Sequence, residues 1–352
     1  MESQEVNGRR HGGADEAKRI AERARADGLG DAPDIAAQKY RQALTLLGES
    51  DLTPLHADVL RWHGTLLRER GRTTEAEPLF QRSLDVARTL AYDAGVAHAL
   101  NCLAGLAQRR GDLAGSENLL TDAATLADRG GNARLQTMIR ANLGILADIR
   151  GDTVAAITRC LSSLQAAETI RDEQQIAWTL INLGVLHGKE ERFDDAERAF
   201  TRGLSIVRSR GDVLSEGVVE ENRAEMRLMR GELDDAYPSI GRALEVAEQR
   251  RDGVRLAAAL KLRGAYERMS GRGGEAANTL RHALTLAAVG EDALLGAEIL
   301  YQFALALHEA DDPPMAQEVW SAALEAFERI AARDWVGRVQ QRLFAGPTGR
   351  YL

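Results

Sequence analysis

Apolar residues return along this chain at three- and four-residue spacings, and the whole pattern repeats at a period of forty residues, eight times, with no insertion or deletion. One column of the repeat reads Ala24, Gly64, Ala104, Gly144, Gly184, Ala224, Gly264 and Ala304. Seven residues on lies a column of turn formers: Asp31, Gly71, Gly111, Gly151, Glu191, Gly231, Gly271 and Asp311. Five further on the series is Ala36, Ala76, Ser116, Ala156, Ala196, Ala236, Ala276 and Ala316. Within one unit, Leu135, Met138, Ile139, Leu143 and Leu146 mark the apolar face of a first helix that stops at Gly151. Asp152 and Thr153 then open a second helix with Ile157, Cys160, Leu161, Leu164 and Ala167 on one face. Asn132, Asp172, Asp212, Asp252 and Asp292 stand before successive first helices, where a side-chain oxygen accepts from the orphan amides of the first turn. A fixed period of this kind predicts a solenoid, each unit burying its apolar face against its neighbours.

The expected fold is therefore all-α: a right-handed α-solenoid of eight helix-turn-helix repeats over residues 14–336, closed by a capping helix over 334–345. In that cap Trp335, Val336, Val339 and Leu343 are the apolar positions. Residues 1–13, around Gly8 and Gly13, show no periodicity and are expected to be disordered, and 346–352 form a second tail in which Tyr351 and Leu352 have no assignment. The small column has a physical reason: where a first helix crosses its own second helix, a side chain larger than methyl forces the axes apart.

Composition supports the helical reading, since aromatic residues are only 5% while Ala is abundant. With 53 acidic against 45 basic residues and a net charge of −8, no overall positive field attracts a phosphate backbone, so nucleic acid is not an expected partner. The two cysteines, Cys102 and Cys160, fall at interior positions and read as reduced small hydrophobes. No stretch has the length and apolarity of a membrane span and the start lacks the pattern of a signal peptide, so the expected location is cytoplasmic.

The sequence resembles the tetratricopeptide repeat. Leu143-Gly144, Gly151-Asp152 and Ala156 carry the likeness in one unit, and Leu183-Gly184, Phe193, Ala196, Phe200 and Leu204 in the next. Its forty-residue unit is longer than the family's usual one, as in the subgroup that includes peptide-sensing bacterial regulators, kinesin light chains and related polarity adaptors. The resemblance implies a non-catalytic protein- or peptide-binding adaptor or regulatory scaffold with a protein or peptide ligand in its concave groove. The alternative is a structural subunit that self-assembles through the solenoid ends or convex face, and after it an enzyme or enzyme accessory subunit; oligomeric state is left open.

Two residues before the small column, three successive repeats carry Asn142, Asn182 and Asn222. An amide offers both donor and acceptor, and the family often uses Asn here to bond the backbone of an extended peptide. A solvated or helix-bridging Asn fits the same pattern. Met138 and Trp178 lie one turn earlier and add apolar surface, while Glu221, Glu225 and Lys261 put mixed charge toward one end. These eight residues are the candidate partner-binding site. Glu220, Arg223 and Arg263 intrude at otherwise apolar seam positions and read as an internal network fixing curvature, with a carboxylate-recognising pocket as the other reading.

Residues that suggest catalysis have plainer explanations. Asp194-Asp195, Asp234-Asp235 and Asp311-Asp312 sit at helix starts, where a cap and a negative charge are expected. The Gly-rich run 271–274 follows a helix rather than a strand, so it is a turn rather than a phosphate loop. None of the seven histidines has metal-ligand spacing, and no nucleophile elbow is present. No catalytic residue, metal or cofactor is expected.

Overall fold

The computed structural model describes residues 2–345 apart from 30–31, 49–51, 111, 290–291 and 331, with the side chains of 2–12, 333–334 and 344–345 also outside the description. Among the described residues the chain forms seventeen helices and no strand. Eight pairs run in order: α1 (Glu2–Leu29) with α2 (Pro33–Leu47), α3 (Pro54–Glu69) with α4 (Thr73–Thr89), α5 (Asp93–Arg109) with α6 (Leu113–Arg129), and α7 (Ala133–Ile149) with α8 (Thr153–Thr169). The series continues with α9 (Glu173–Lys189) and α10 (Phe193–Ser209), α11 (Val213–Arg230) and α12 (Leu233–Gln249), α13 (Gly253–Met269) and α14 (Gly273–Val289), and α15 (Ala293–Glu309) and α16 (Pro313–Arg329). A final helix, α17 (Arg333–Ala345), has no partner helix after it.

Each boundary follows from local chemistry. The side chains of Asn132, Asp172, Asp212, Asp252 and Asp292 accept from the backbone N–H three residues on, at 2.9 to 3.2 Å. The residue before the caps Asn132, Asp172, Asp212 and Asp252 is left-handed, either Gly, as at Gly131 and Gly211, or a side-chain-bearing residue, as at Arg171 and Arg251. The acidic pairs divide. Asp312 caps α16 through the Met315 amide at 3.3 Å. Arg192 and Glu232 occupy the cap positions of α10 and α12, so Asp194, Asp195, Asp234 and Asp235 lie inside the first turn, where they face the helix dipole without capping.

The small column is where each first helix crosses its second. A methyl placed on Gly184 would fall 2.4 Å from Cε1 of Phe200, one on Gly64 2.7 Å from Phe80, and one on Gly264 2.5 Å from Leu280. Sixteen residues separate the members of every such pair, so the close approach is a property of the repeat.

Each first helix packs on its own second helix, on the preceding second helix and on the next first helix. That third contact draws the first helices together and curves the stack around them, so they form the inner wall. At the C-terminal end Trp335 stacks on Phe327 with centroids 5.0 Å apart and meets Tyr301 edge-on at 5.2 Å, while Val339 is fully buried. At the other end α1 begins at Glu2, so a helix occupies the segment expected to be an unstructured tail. Once residues 14–29 are held by packing on α2, each further turn adds hydrogen bonds without a new nucleation cost, which outweighs the weak propensity of Gly8 and Gly12. Tyr351 and Leu352 lie outside the described residues.

Candidate functional site: the inner wall

The spiral closes on itself. The Arg250 guanidinium, at the end of α12, donates to the carbonyls of Gly28 at 3.0 Å and Leu29 at 3.2 Å, satisfying orphan acceptors at the C-terminal end of α1. α1 also packs on α11. Arg109, closing α5, reaches Asp292, the cap of α15, at 3.5 Å. Both contacts join the end of one first helix to elements about five repeats further on, so the inner wall encloses a channel. Glu69 at the end of α3 belongs to the same seam: burial pushes its carboxyl above the usual range, within the fields of Arg68, Arg250 and Arg255.

The three asparagines sit on α7, α9 and α11, all half-buried. Asn142 Nδ2 donates to Asn101 Oδ1 on α5 at 2.7 Å, and Asn222 Nδ2 donates to the Val218 carbonyl of its own helix at 2.8 Å. Two of the three amides thus have an internal partner for one N–H and keep further donor and acceptor capacity. Asn101 joins this group, yet its own column, Arg61, Asn101, Ala141, Ile181 and Glu221, gives no sign of it. Met138 packs on the apolar cluster of α3 to α7, while Trp178 is half-buried.

The charged candidates come together at the other end and are largely engaged. Lys261 Nζ bonds Glu298 at 2.6 Å and lies 3.8 Å from Glu225, and Arg255 bonds Glu221 at 3.0 Å. Burial by itself lowers the Lys261 ammonium, but Glu225 and Glu298 outweigh it and hold the group above its ordinary value. Glu221 and Glu298 are pushed up by burial against the pull of their cationic partners.

The seam residues do not form the expected mutual network. Arg223 forks onto the carboxylate of Glu197 on α10, with Nε 2.8 Å from Oε1, and Arg227 joins the same carboxylate at 3.1 Å. Glu220 accepts instead from Ser239 at 2.7 Å and Arg208 at 3.1 Å, and Arg263 bonds Glu267 at 2.9 Å. Each charge finds an opposite partner on its own or an adjoining helix, which a forty-residue comb does not display. Arg223 lies in the repeat-to-repeat seam and is held there.

A cationic stretch of the wall has no counterpart in the candidate list. Arg25 on α1 and Arg61 on α3 both approach the Trp62 indole, with guanidinium carbons 4.8 and 5.7 Å from the ring centroid. His98 on α5 is pushed down to about 3, first by burial and then by Arg61, Arg134 and Arg25. Three cations from α1, α3 and α7 therefore act on one imidazole. The positions Arg25, Arg61 and Arg134 belong to different columns of the repeat, so no in-register signal marks them.

The fold and its inner wall define a tetratricopeptide-type solenoid. Residues 34–251 match the model of the MalT-like TPR region, and the chain belongs to that family. No curated protein is detectably similar in sequence. Among solved structures, a Rap protein complexed with Competence and Sporulation Factor aligns over 90% of this chain and 99% of its own, with a TM-score of 0.67 and 14% identity. NprR in complex with its cognate peptide NprX aligns over 83% and 84%, with a TM-score of 0.59 and 14% identity. Aspartyl phosphate phosphatase F from Bacillus subtilis aligns over 91% and 77%, with a TM-score of 0.57 and 13% identity. At these identities the likeness is one of fold. Among the described residues no helix is long and apolar enough to cross a membrane.

Proposed function

We propose that this protein is a non-catalytic, cytoplasmic adaptor or regulator that takes up an extended peptide, or an extended segment of a partner protein, along the inner wall. The observation that carries the reading is the placement of Asn142, Asn182 and Asn222 on three consecutive first helices, all half-buried. Asn is a poor helix former, so three in register need a reason beyond the helix itself. An extended peptide presents an N–H and a C=O at each residue, and an amide side chain answers both. Two of the solved structures of like fold contain a bound factor or cognate peptide, which supports the same use of the channel here. Trp178 and Met138 supply flat and adaptable apolar contact beside the amides, and Glu221, Glu225 and Lys261 bound the site at its charged end.

The test is retention of a pool of randomised synthetic heptapeptides by the full chain, read by affinity-selection mass spectrometry. Replacing all three asparagines by Ala removes about 1 kcal/mol per lost hydrogen bond, or on the order of a hundredfold in affinity together. Equal retention by the wild type and the triple variant, both folded by circular dichroism, overturns the amide-ladder reading.

A further inference from the structure

An open cavity of about 520 Å3 lies where Arg25 of α1 faces the start of α7, the turn between α8 and α9, and Arg210 after α10. Its wall includes four guanidinium groups, Arg25, Arg134, Arg171 and Arg210, against two carboxylates, Asp172 and Glu173. The carboxylates are already engaged: Arg134 Nε lies 2.8 Å from Asp172, and Arg210 lies 3.6 Å from Glu173. Arg134 also donates to Gln174 at 2.9 Å, which fixes its fork at the cavity edge. Arg25 is different. Among the described residues it makes no ion pair, and its guanidinium stands over the Trp62 ring at 4.8 Å. Stacking holds the planar group without consuming its N–H donors, so the fork is pre-organised and unspent.

The surroundings are short of negative charge. Arg61 shares the Trp62 ring, and its nearest acid, Asp58 at 3.0 Å, is committed to it. His98, acted on by Arg25, Arg61 and Arg134, stays neutral and adds none. Like charges gathered at a partly desolvated wall are costly unless an anion completes them. Among the described residues no carboxylate pairs with Arg25, and Asp58 reaches it only through its field.

We propose that this cavity is a carboxylate-binding subsite, and that the ligand of the inner channel presents a free carboxylate to Arg25, with Arg134 at its flank. The inference rests on the peptide-binding reading above and adds the chemistry of one end of the ligand. A carboxylate matches the guanidinium fork in two parallel charge-assisted hydrogen bonds. It is supplied either by the C-terminus of a peptide or by an Asp or Glu side chain.

Four N-acetylated heptapeptide pools separate these sources: free acids or C-terminal amides, each with Asp and Glu either allowed or omitted at the randomised positions. The wild-type chain should retain carboxylate-bearing pools about tenfold or more over the amide pool lacking Asp and Glu. Preference for the free acid without acidic residues assigns the terminus, and preference for the amide with them assigns a side chain. Arg25→Gln, with its fold checked by circular dichroism, should level the pools. Equal retention of all four pools by the wild type overturns the subsite and leaves the peptide channel standing. An undiminished preference in Arg25→Gln does the same. Retention of no pool overturns both readings.

Discussion

Adding one methyl group at Gly184 should measure how closely the paired helices are set. The new Cβ would lie 2.4, 2.7 and 2.7 Å from Cε1, Cδ1 and Cζ of Phe200. Favourable carbon contacts are about 3.5–4.0 Å, so ring or helix must retreat by more than an ångström. Phe200 is 1% exposed, packed among Ala177, Ile181, Ala196, Leu204 and Val207, and has nowhere to swing. Overpacking of this degree costs about 1–3 kcal/mol, against which Ala recovers about 1 kcal/mol of helix propensity. The net expectation for Gly184→Ala is a loss of up to about 2 kcal/mol, read as a lower urea midpoint and a lower Tm. Gly144→Ala is the internal control: its nearest neighbour is the Cys160 sulfur at 3.2 Å, and propensity should roughly balance strain there. The repeat that carries Ala104 has Leu120 at the position of Phe200, so Gly184→Ala with Phe200→Leu should be more stable than the two single changes predict by addition. Gly184→Ala matching or exceeding the wild type in stability, with no coupling to Phe200→Leu, would refute the crossing-point argument.

Three further outcomes follow from other parts of the molecule. Glu191 holds a left-handed conformation at φ 57°, where Gly carries no Cβ penalty, so Glu191→Gly should raise stability by about 0.5–1 kcal/mol; an unchanged or lower urea midpoint counts against it. His98 has a folded-state value near 3 against an ordinary value of 6.5, so its contribution is fully present above 6.5 and is lost as pH falls toward 3. Between pH 7 and pH 5 this should cost the wild type up to about 2 kcal/mol that His98→Gln does not lose, a difference visible in paired melts and absent if His98 titrates normally. Deleting residues 333–352 uncovers Phe327 and Tyr301, so hydrogen exchange should accelerate first in α15 and α16 while α7 to α10 stay protected; a uniform increase along the chain contradicts this.

What could be read from the sequence was whatever the repeat writes in register. The helix pairs, the Asp and Asn caps, the Gly and Ala crossings and the final Trp335 cap all recur at forty-residue intervals or end such a series, and local hydrogen bonding and steric fit decide them. The candidate asparagines belong to the same class of signal. The partners of Arg223 and Glu220 were not visible because a charge finds its counter-ion by three-dimensional proximity across helices, and Glu197 and Ser239 lie in columns that mix polar and apolar residues. The seam at Arg250 was still less legible. Its column holds Leu90, Gly130, Ile170 and Arg210, and only the pitch of the spiral buries this one member against residues more than two hundred positions away. The same holds for Arg25 and Arg134, which share a cavity because the stack turns.

The seam also bears on why eight units share one length. In an open stack an extra residue in one turn disturbs its two neighbours and is then forgotten. Here the end of α1 must arrive opposite Arg250, and the end of α5 opposite Asp292, each about five units further on. Small rotations accumulate around a ring, so an insertion anywhere between them would bring the two sides together out of phase. The chain therefore behaves less like a string of beads that can be lengthened or trimmed than like a combination lock, whose alignment depends on every wheel having the same number of teeth.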